Sequence, residues 1–185
     1  MTVLVIGGAA SGKSEYAENL LCRLSGDAPK VYIATMEPHG AEAAARIAKH
    51  RQARSGKGFM TLERFTNLSG LRVPDGSAVL LEDLGNLCAN EMFSPCGSRD
   101  GAEILRGVYA LREQCSHVVI VSNEIFCGGT AYTAETLQYL RTLARLHREI
   151  AATADGVCEV VCGIPCTYRF PFSEKRACAF RQNCV

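Results

Sequence analysis

The chain alternates between short apolar blocks and longer stretches in which apolar residues return every three or four positions. Val3-Leu4-Val5-Ile6, Ala78-Val79-Leu80-Leu81 and Val118-Val119-Ile120-Val121 are continuous apolar runs, the pattern of strands buried on both faces of a parallel sheet. Lys30–Thr35, Phe59–Glu63 and Val157–Val161 predict further strands, the last ended by Gly163-Ile164-Pro165. Between these blocks, Tyr16, Leu20, Leu21 and Leu24 fall on one helical face within Glu15–Leu24, and Ile104, Leu105, Val108 and Leu111 do so within Gly101–Gln114. Gly85–Phe93 and Thr133–Ala154 predict two more helices, and Ser25–Pro29, Pro74-Asp75-Gly76 and Gly128-Gly129-Thr130 supply turns. Strands alternating with helices predict an α/β fold of three layers, a mostly parallel central sheet covered on both faces.

The first strand leads into Gly7-Gly8-Ala9-Ala10-Ser11-Gly12-Lys13-Ser14, and a helix follows at once. This is the full G-x-x-x-x-G-K-[ST] pattern in the context that gives it meaning, so the fold class sharpens to P-loop NTPase-like. Small residues let successive backbone N–H groups curl around a phosphate chain, and the helix N-terminus adds a favourable dipole. Lys13 is predicted to reach the β- and γ-phosphates, and the Ser14 hydroxyl to ligate Mg²⁺. A second oxygen for that ion is predicted from Glu82, the carboxylate at the end of the apolar strand 78–81.

Composition excludes more than it assigns. A formal net charge of +1 over 185 residues gives no global field for nucleic acid or an anionic membrane. No apolar run is long enough for a membrane span, and no basic n-region precedes the first apolar run, so a cytoplasmic location is expected. The ten cysteines form no C-x-x-C pair, and in a reducing compartment they are expected to be free and mostly buried, with a metal or disulfide role left to those of the tail. There are no repeats or linkers, so residues 1–165 read as one catalytic domain and 166–185 as an extension of unknown role.

The segment 41–54, AEAAARIAKHRQAR, is rich in helix formers and strongly basic, but its apolar face is mostly alanine plus Ile47. By itself this is either a solvated surface helix or one that grips phosphate near the P-loop. On these residues alone the chain could be a monofunctional P-loop small-molecule kinase or a non-catalytic GTP-binding protein.

Taken together, GGAASGKS at 7–14, YIAT at 32–35, the E-x-x-x-R-I-x-x-H-R-x-x-R pattern from Glu42 to Arg54, F-x-T-x-E at 59–63, VLLEDLGNL at 79–87 and Asn123-Glu124 resemble the bifunctional adenosylcobinamide kinase / adenosylcobinamide-phosphate guanylyltransferase family. Ala154-Asp155 and Gly163-Ile164-Pro165 close the likeness. The resemblance implies two reactions. One phosphorylates adenosylcobinamide with ATP or GTP; the other transfers GMP from GTP to the resulting phosphate through a guanylyl-histidine and releases pyrophosphate. It implies that His50 is the nucleophile, that Lys13 and Arg46 assist catalysis, and that Mg²⁺ accompanies the nucleotide. Nucleotide contacts are implied at Gly7, Gly8, Ala9, Ala10, Ser11, Gly12, Lys13 and Ser14, at Ile33, Ala34 and Thr35, at Arg51, Gln52, Ala53 and Arg54, and at Glu63 and Glu82. A homotrimer is implied as well, with small-molecule substrates and no nucleic-acid partner. The chain departs from the family pattern at Ala10, where the family carries arginine, in the loop Ile125–Ala131, and at His147-Arg148 in place of an Asn-Gln pair.

Overall fold

The structure is a computed structural model that describes residues 1–38, 40, 45, 47, 48, 52, 54–99, 101–129 and 131–169. Seven strands, β1 (Thr2–Gly7), β2 (Lys30–Ala34), β3 (Phe59–Glu63), β4 (Ala78–Glu82), β5 (His117–Asn123), β6 (Gly156–Val161) and β7 (Ile164–Arg169), form one sheet in the order β3-β2-β4-β5-β1-β6-β7. All neighbouring strands run parallel except β6 and β7. The α-helices described from end to end are α1 (Lys13–Ser25), α2 (Leu84–Phe93), α3 (Gly101–Gln114) and α4 (Ala134–Thr153).

The continuous apolar runs have a direct explanation in the two faces of the sheet. Val3 and Val5 of β1, with Leu80 of β4 and Val119 and Val121 of β5, pack against Ala17, Leu20 and Leu21 of α1. The alternating residues, Leu4, Val79, Leu81, Val118 and Ile120, pack against Leu84, Leu87, Ile104, Leu111, Leu143 and Ile150 of α2, α3 and α4. Each fully enclosed leucine or isoleucine contributes about 1.5–3 kcal/mol of transfer free energy, which holds the register of the central strands. Helix starts are set by local chemistry. The Asp83 carboxylate accepts from Asn86 N at 2.6 Å to cap α2, and Thr133 Oγ1 accepts from Thr136 N at 3.2 Å to cap α4.

Two expectations change. The chain does not end its sheet at Pro165: Cys162 (φ 49°) and Gly163 (φ 79°) turn it back, and β7 pairs antiparallel with β6 through Arg169. The boundary drawn at 165 from sequence therefore falls inside a strand. Among the described cysteines all are free, but only Cys88 and Cys158 are buried, whereas Cys96, Cys127, Cys162 and Cys166 are exposed. A small apolar side chain is tolerated at hairpin and loop positions where nothing covers it, so residue type alone misjudged their burial. The basic segment 41–54 lies largely outside the described residues; Ala45, Ile47, Ala48, Gln52 and Arg54 are helical.

Because β1, β2, β4 and β5 are parallel, their C-terminal ends bring Gly7, Ala34, Glu82 and Asn123 to one edge. That edge is where open parallel sheets hold ligands.

Candidate nucleotide site

The loop leaving β1 is folded for close approach. A Cβ on Gly7 would stand 2.6 Å from Ser11 Oγ and 2.7 Å from the Val160 carbonyl oxygen, so no larger residue fits without moving the loop from β6. Ala10 (φ 56°) and Gly12 (φ 89°) take the left-handed conformation that curls the backbone. The curl is tied to its neighbours: Gly163 N donates to Ser11 O at 2.8 Å and Glu124 N to Gly7 O at 2.9 Å. Gly12 stands at the N-cap of α1 and offers no side chain to its first N–H groups. A helix N-terminus of this kind favours a ligand of negative charge. Lys13 is buried, and its ammonium donates to Gly8 O at 3.0 Å, across the mouth of its own loop.

Glu82 closes the site from the end of β4. Ser14 Oγ donates to Glu82 Oε1 at 2.6 Å, while Glu82 Oε2 is cut off from solvent with no hydrogen-bond partner among the described residues. Burial, opposed by the Ser14 hydrogen bond, pushes the carboxyl up to about 8. A hydroxyl and a carboxylate with a spare enclosed oxygen form an all-oxygen donor set. It suits a hard divalent cation that draws its remaining ligands from phosphate and water.

Asp83, adjacent in sequence, has a different task. Its carboxylate accepts from Asn86 N at 2.6 Å, Asn86 Nδ2 at 3.0 Å and Asn123 Nδ2 at 3.1 Å, so it locks α2 and the end of β5 to β4. Thr35 is fully enclosed and fastens the same turn: its Oγ1 donates to Asp83 O at 2.8 Å and accepts from Asp83 N at 2.7 Å. Ile33 is equally enclosed in the core. The side chains of Ile33 and Thr35 thus meet protein, and Ala34 between them lines the cavity.

That cavity opens beside the P-loop, between β2, β3, β4 and the basic segment, and is lined by Tyr32, Ile47, Arg54, Glu63, Glu82 and Asn86 among others. Arg54 is 6% exposed, and its guanidinium carbon lies over the Tyr32 ring, 3.4 Å from the centroid. Its Nε and Nη1 are enclosed, with no hydrogen-bond partner among the described residues. A buried guanidinium with unused donors on a cavity wall is poised for an anion whose oxygens match its planar fork. Glu63 and Gln52 are exposed. His50, Arg46, Arg51 and Ala53 lie outside the described residues.

Sequence reading missed Tyr32 as the seat of Arg54, and missed Asp83, Asn86 and Asn123 as one network. Asp83 carried a legible signal, an Asp immediately before a helix at the N-cap position. Asn86 and Asn123 stood within motifs of the family resemblance, but nothing in those motifs pairs them with Asp83. His147 was also passed over: its Nε2 lies 2.7 Å from the hydroxyl of buried Ser122, its ring meets Phe126 edge-on, and burial holds it down at about 4.

The chain matches the family model described as cobinamide kinase / cobinamide phosphate guanyltransferase over residues 3–168. It is 34% identical to the bifunctional adenosylcobalamin biosynthesis protein CobU of Escherichia coli over 181 residues, 89% of this chain and 97% of that protein. The corresponding protein of Salmonella typhimurium gives the same figures. Among solved structures, the flagellar accessory protein FlaH from Methanocaldococcus jannaschii superposes with a TM-score of 0.50 at 10% identity, covering 91% of this chain and 78% of that one. That likeness concerns the fold alone.

Proposed function

The chain belongs to the cobinamide kinase / cobinamide phosphate guanyltransferase family, and from that premise we propose how its own residues divide the two reactions of the family name. In the first, ATP or GTP is the phosphoryl donor and the hydroxyl of adenosylcobinamide the acceptor. The curl at 7–14 holds the β- and γ-phosphates, and Lys13 exchanges its Gly8 carbonyl for phosphate oxygen. Ser14 and Glu82 would hold Mg²⁺, which neutralises charge on the transferring group. Asp83, fixed by Asn86 and Asn123, keeps the backbone of the 82–83 turn in place.

In the second reaction the neutral imidazole of His50 attacks the α-phosphorus of GTP. A P–N bond forms, the bond to the β-bridging oxygen breaks, and pyrophosphate leaves with the electron pair. An oxygen of adenosylcobinamide phosphate then attacks the same phosphorus, the P–N bond breaks, and the imidazole is regenerated, giving adenosylcobinamide-GDP. Arg54 supports this assignment more than any other observed feature. Its enclosed donors line a cavity shared with Glu82, where a nucleotide phosphate would meet both. In the sequence His50 stands three residues after Ile47 and four before Arg54, a spacing that predicts one helical face for all three. Arg46 and Arg51 add positive charge for the departing pyrophosphate.

The same reading has the enzyme act as a homotrimer in the cytoplasm, where reducing conditions suit exposed thiols such as Cys127 and Cys162. Light scattering on the purified protein measures the assembly. The decisive experiment on the chemistry follows radiolabel from [α-³²P]GTP onto wild type and His50→Ala, with Mg²⁺ and no corrinoid. Acid-labile, base-stable label on wild type alone, discharged by adenosylcobinamide phosphate, is the expected result. Equal labelling of both proteins, or of neither, refutes the role given to His50.

A further inference from the structure

Glu18 is a carboxylate in an unusual place, on the P-loop helix α1 and 2% exposed. A buried carboxylate is costly unless a cation meets it. The cation that does so is Lys57, whose Nζ lies 2.6 Å from Glu18 Oε2, and it comes from the turn that directly follows the basic segment. That turn is shaped to bring the lysine inward. Ser55 N donates to Gln52 O at 3.1 Å and Lys57 N to Arg54 O at 3.0 Å, which closes the helical end. Gly56 (φ 89°) and Gly58 (φ 72°) on either side then take left-handed backbone, which Lys57 itself does not.

We infer that Lys57 and Glu18 are a positioning pair that fixes the C-terminal end of the His50-bearing segment to the P-loop helix for guanylyl transfer, an inference that rests on the role proposed for His50. Glu18 follows Ser14 by four residues, one turn further along the same face of α1. Ser14 meets Glu82, and Glu18 meets Lys57, so one helix carries both the phosphate end of the site and the tether. Arg54, three residues before Lys57, lies over Tyr32 of β2 and gives the segment a second anchor. Phosphoryl transfer to a hydroxyl uses the P-loop and Glu82 and does not depend on where this segment sits. Attack by His50 on an α-phosphorus does depend on it. The pair therefore acts on one reaction and leaves the other.

The test uses the full-length protein as wild type, Lys57→Ala and Lys57→Arg. Three quantities are measured: the rate of covalent labelling across a range of [α-³²P]GTP, the rate of phosphorylation of adenosylcobinamide by ATP, and Tm. In Lys57→Ala the maximal labelling rate should fall about ten- to a hundredfold, the cost of a misplaced nucleophile. Half-saturating GTP and the kinase rate should stay within about twofold of wild type. Lys57→Arg should restore labelling, because it keeps the charge and the reach. Labelling and kinase rates that fall together, labelling that does not fall, or failure of arginine to restore it would each overturn the pair. A wild type that never labels overturns the reading of His50 itself, and so is distinct from a labelled wild type matched by Lys57→Ala.

Discussion

Arg54→Met separates a binding arginine from a structural one, because the two roles predict opposite signs. The guanidinium gains a contact over the Tyr32 ring at 3.4 Å, worth about 2 kcal/mol when desolvated. Against it stand two enclosed donor nitrogens, Nε and Nη1, without partners among the described residues, each costing about 1–3 kcal/mol. Methionine keeps much of the aliphatic volume over the ring and removes both orphan donors. The balance predicts that the variant is as stable as wild type or up to about 4 kcal/mol more stable, read as an unchanged or raised Tm in thermal unfolding without nucleotide. With nucleotide the sign reverses. Charge-assisted hydrogen bonds to phosphate contribute about 1.5–3 kcal/mol, so GTP should bind about ten- to a hundredfold more weakly by calorimetry in Mg²⁺. A variant with a lowered Tm and unaltered GTP affinity would show that Arg54 is a packing residue and that the cavity it lines does not receive phosphate.

Two further expectations bear on the same edge of the sheet, and a third serves as their control. Since burial raises the Glu82 carboxyl to about 8, the native state holds a proton that the unfolded chain loses near 4.5; stability from this group falls as pH rises from 4.5 to 8. A cation must displace that proton, so Mg²⁺-dependent nucleotide affinity should rise about tenfold from pH 7 to 9 in wild type and stay flat in Glu82→Gln, which equilibrium titration with a fluorescent GTP analogue would check. Gly7→Ala places a methyl 2.7 Å from the Val160 carbonyl and should cost about 1–3 kcal/mol of stability with loss of nucleotide binding, seen in denaturant unfolding and binding together. Glu91→Ala is a control away from the site. Its buried carboxylate accepts from Asn67 N at 2.5 Å and Ser98 N at 2.7 Å, so Tm should fall by the equivalent of about 2–4 kcal/mol while KM for GTP holds.

Much of this protein was legible in the chain because the deciding forces are local. A strand enclosed on both faces must be apolar at every position, and 3–6, 78–81 and 118–121 are. A phosphate loop needs glycine where the backbone turns left-handed or approaches a neighbour, and Gly7 and Gly12 occupy such positions. A strand ending in a carboxylate drew attention to Glu82, and Ser14 meets that carboxylate at 2.6 Å.

Other features are decided by pairing between distant segments, and no window of sequence carries them. The apolar run of β5 looks no different from that of β4, yet the sheet inserts it between β1 and β4, which brings Asn123 onto Asp83. The return of β7 onto β6 overrides a Gly-Ile-Pro that reads locally as a terminus, because a ladder of backbone hydrogen bonds outweighs weak local preference. The basic residues of 41–54 look alike in sequence. Tertiary structure alone sets Arg54 over Tyr32, and it turns Lys57, just beyond the segment, to Glu18. Burial decides which charges matter: exposed cations are screened by water, whereas an enclosed one must find a partner or await a ligand.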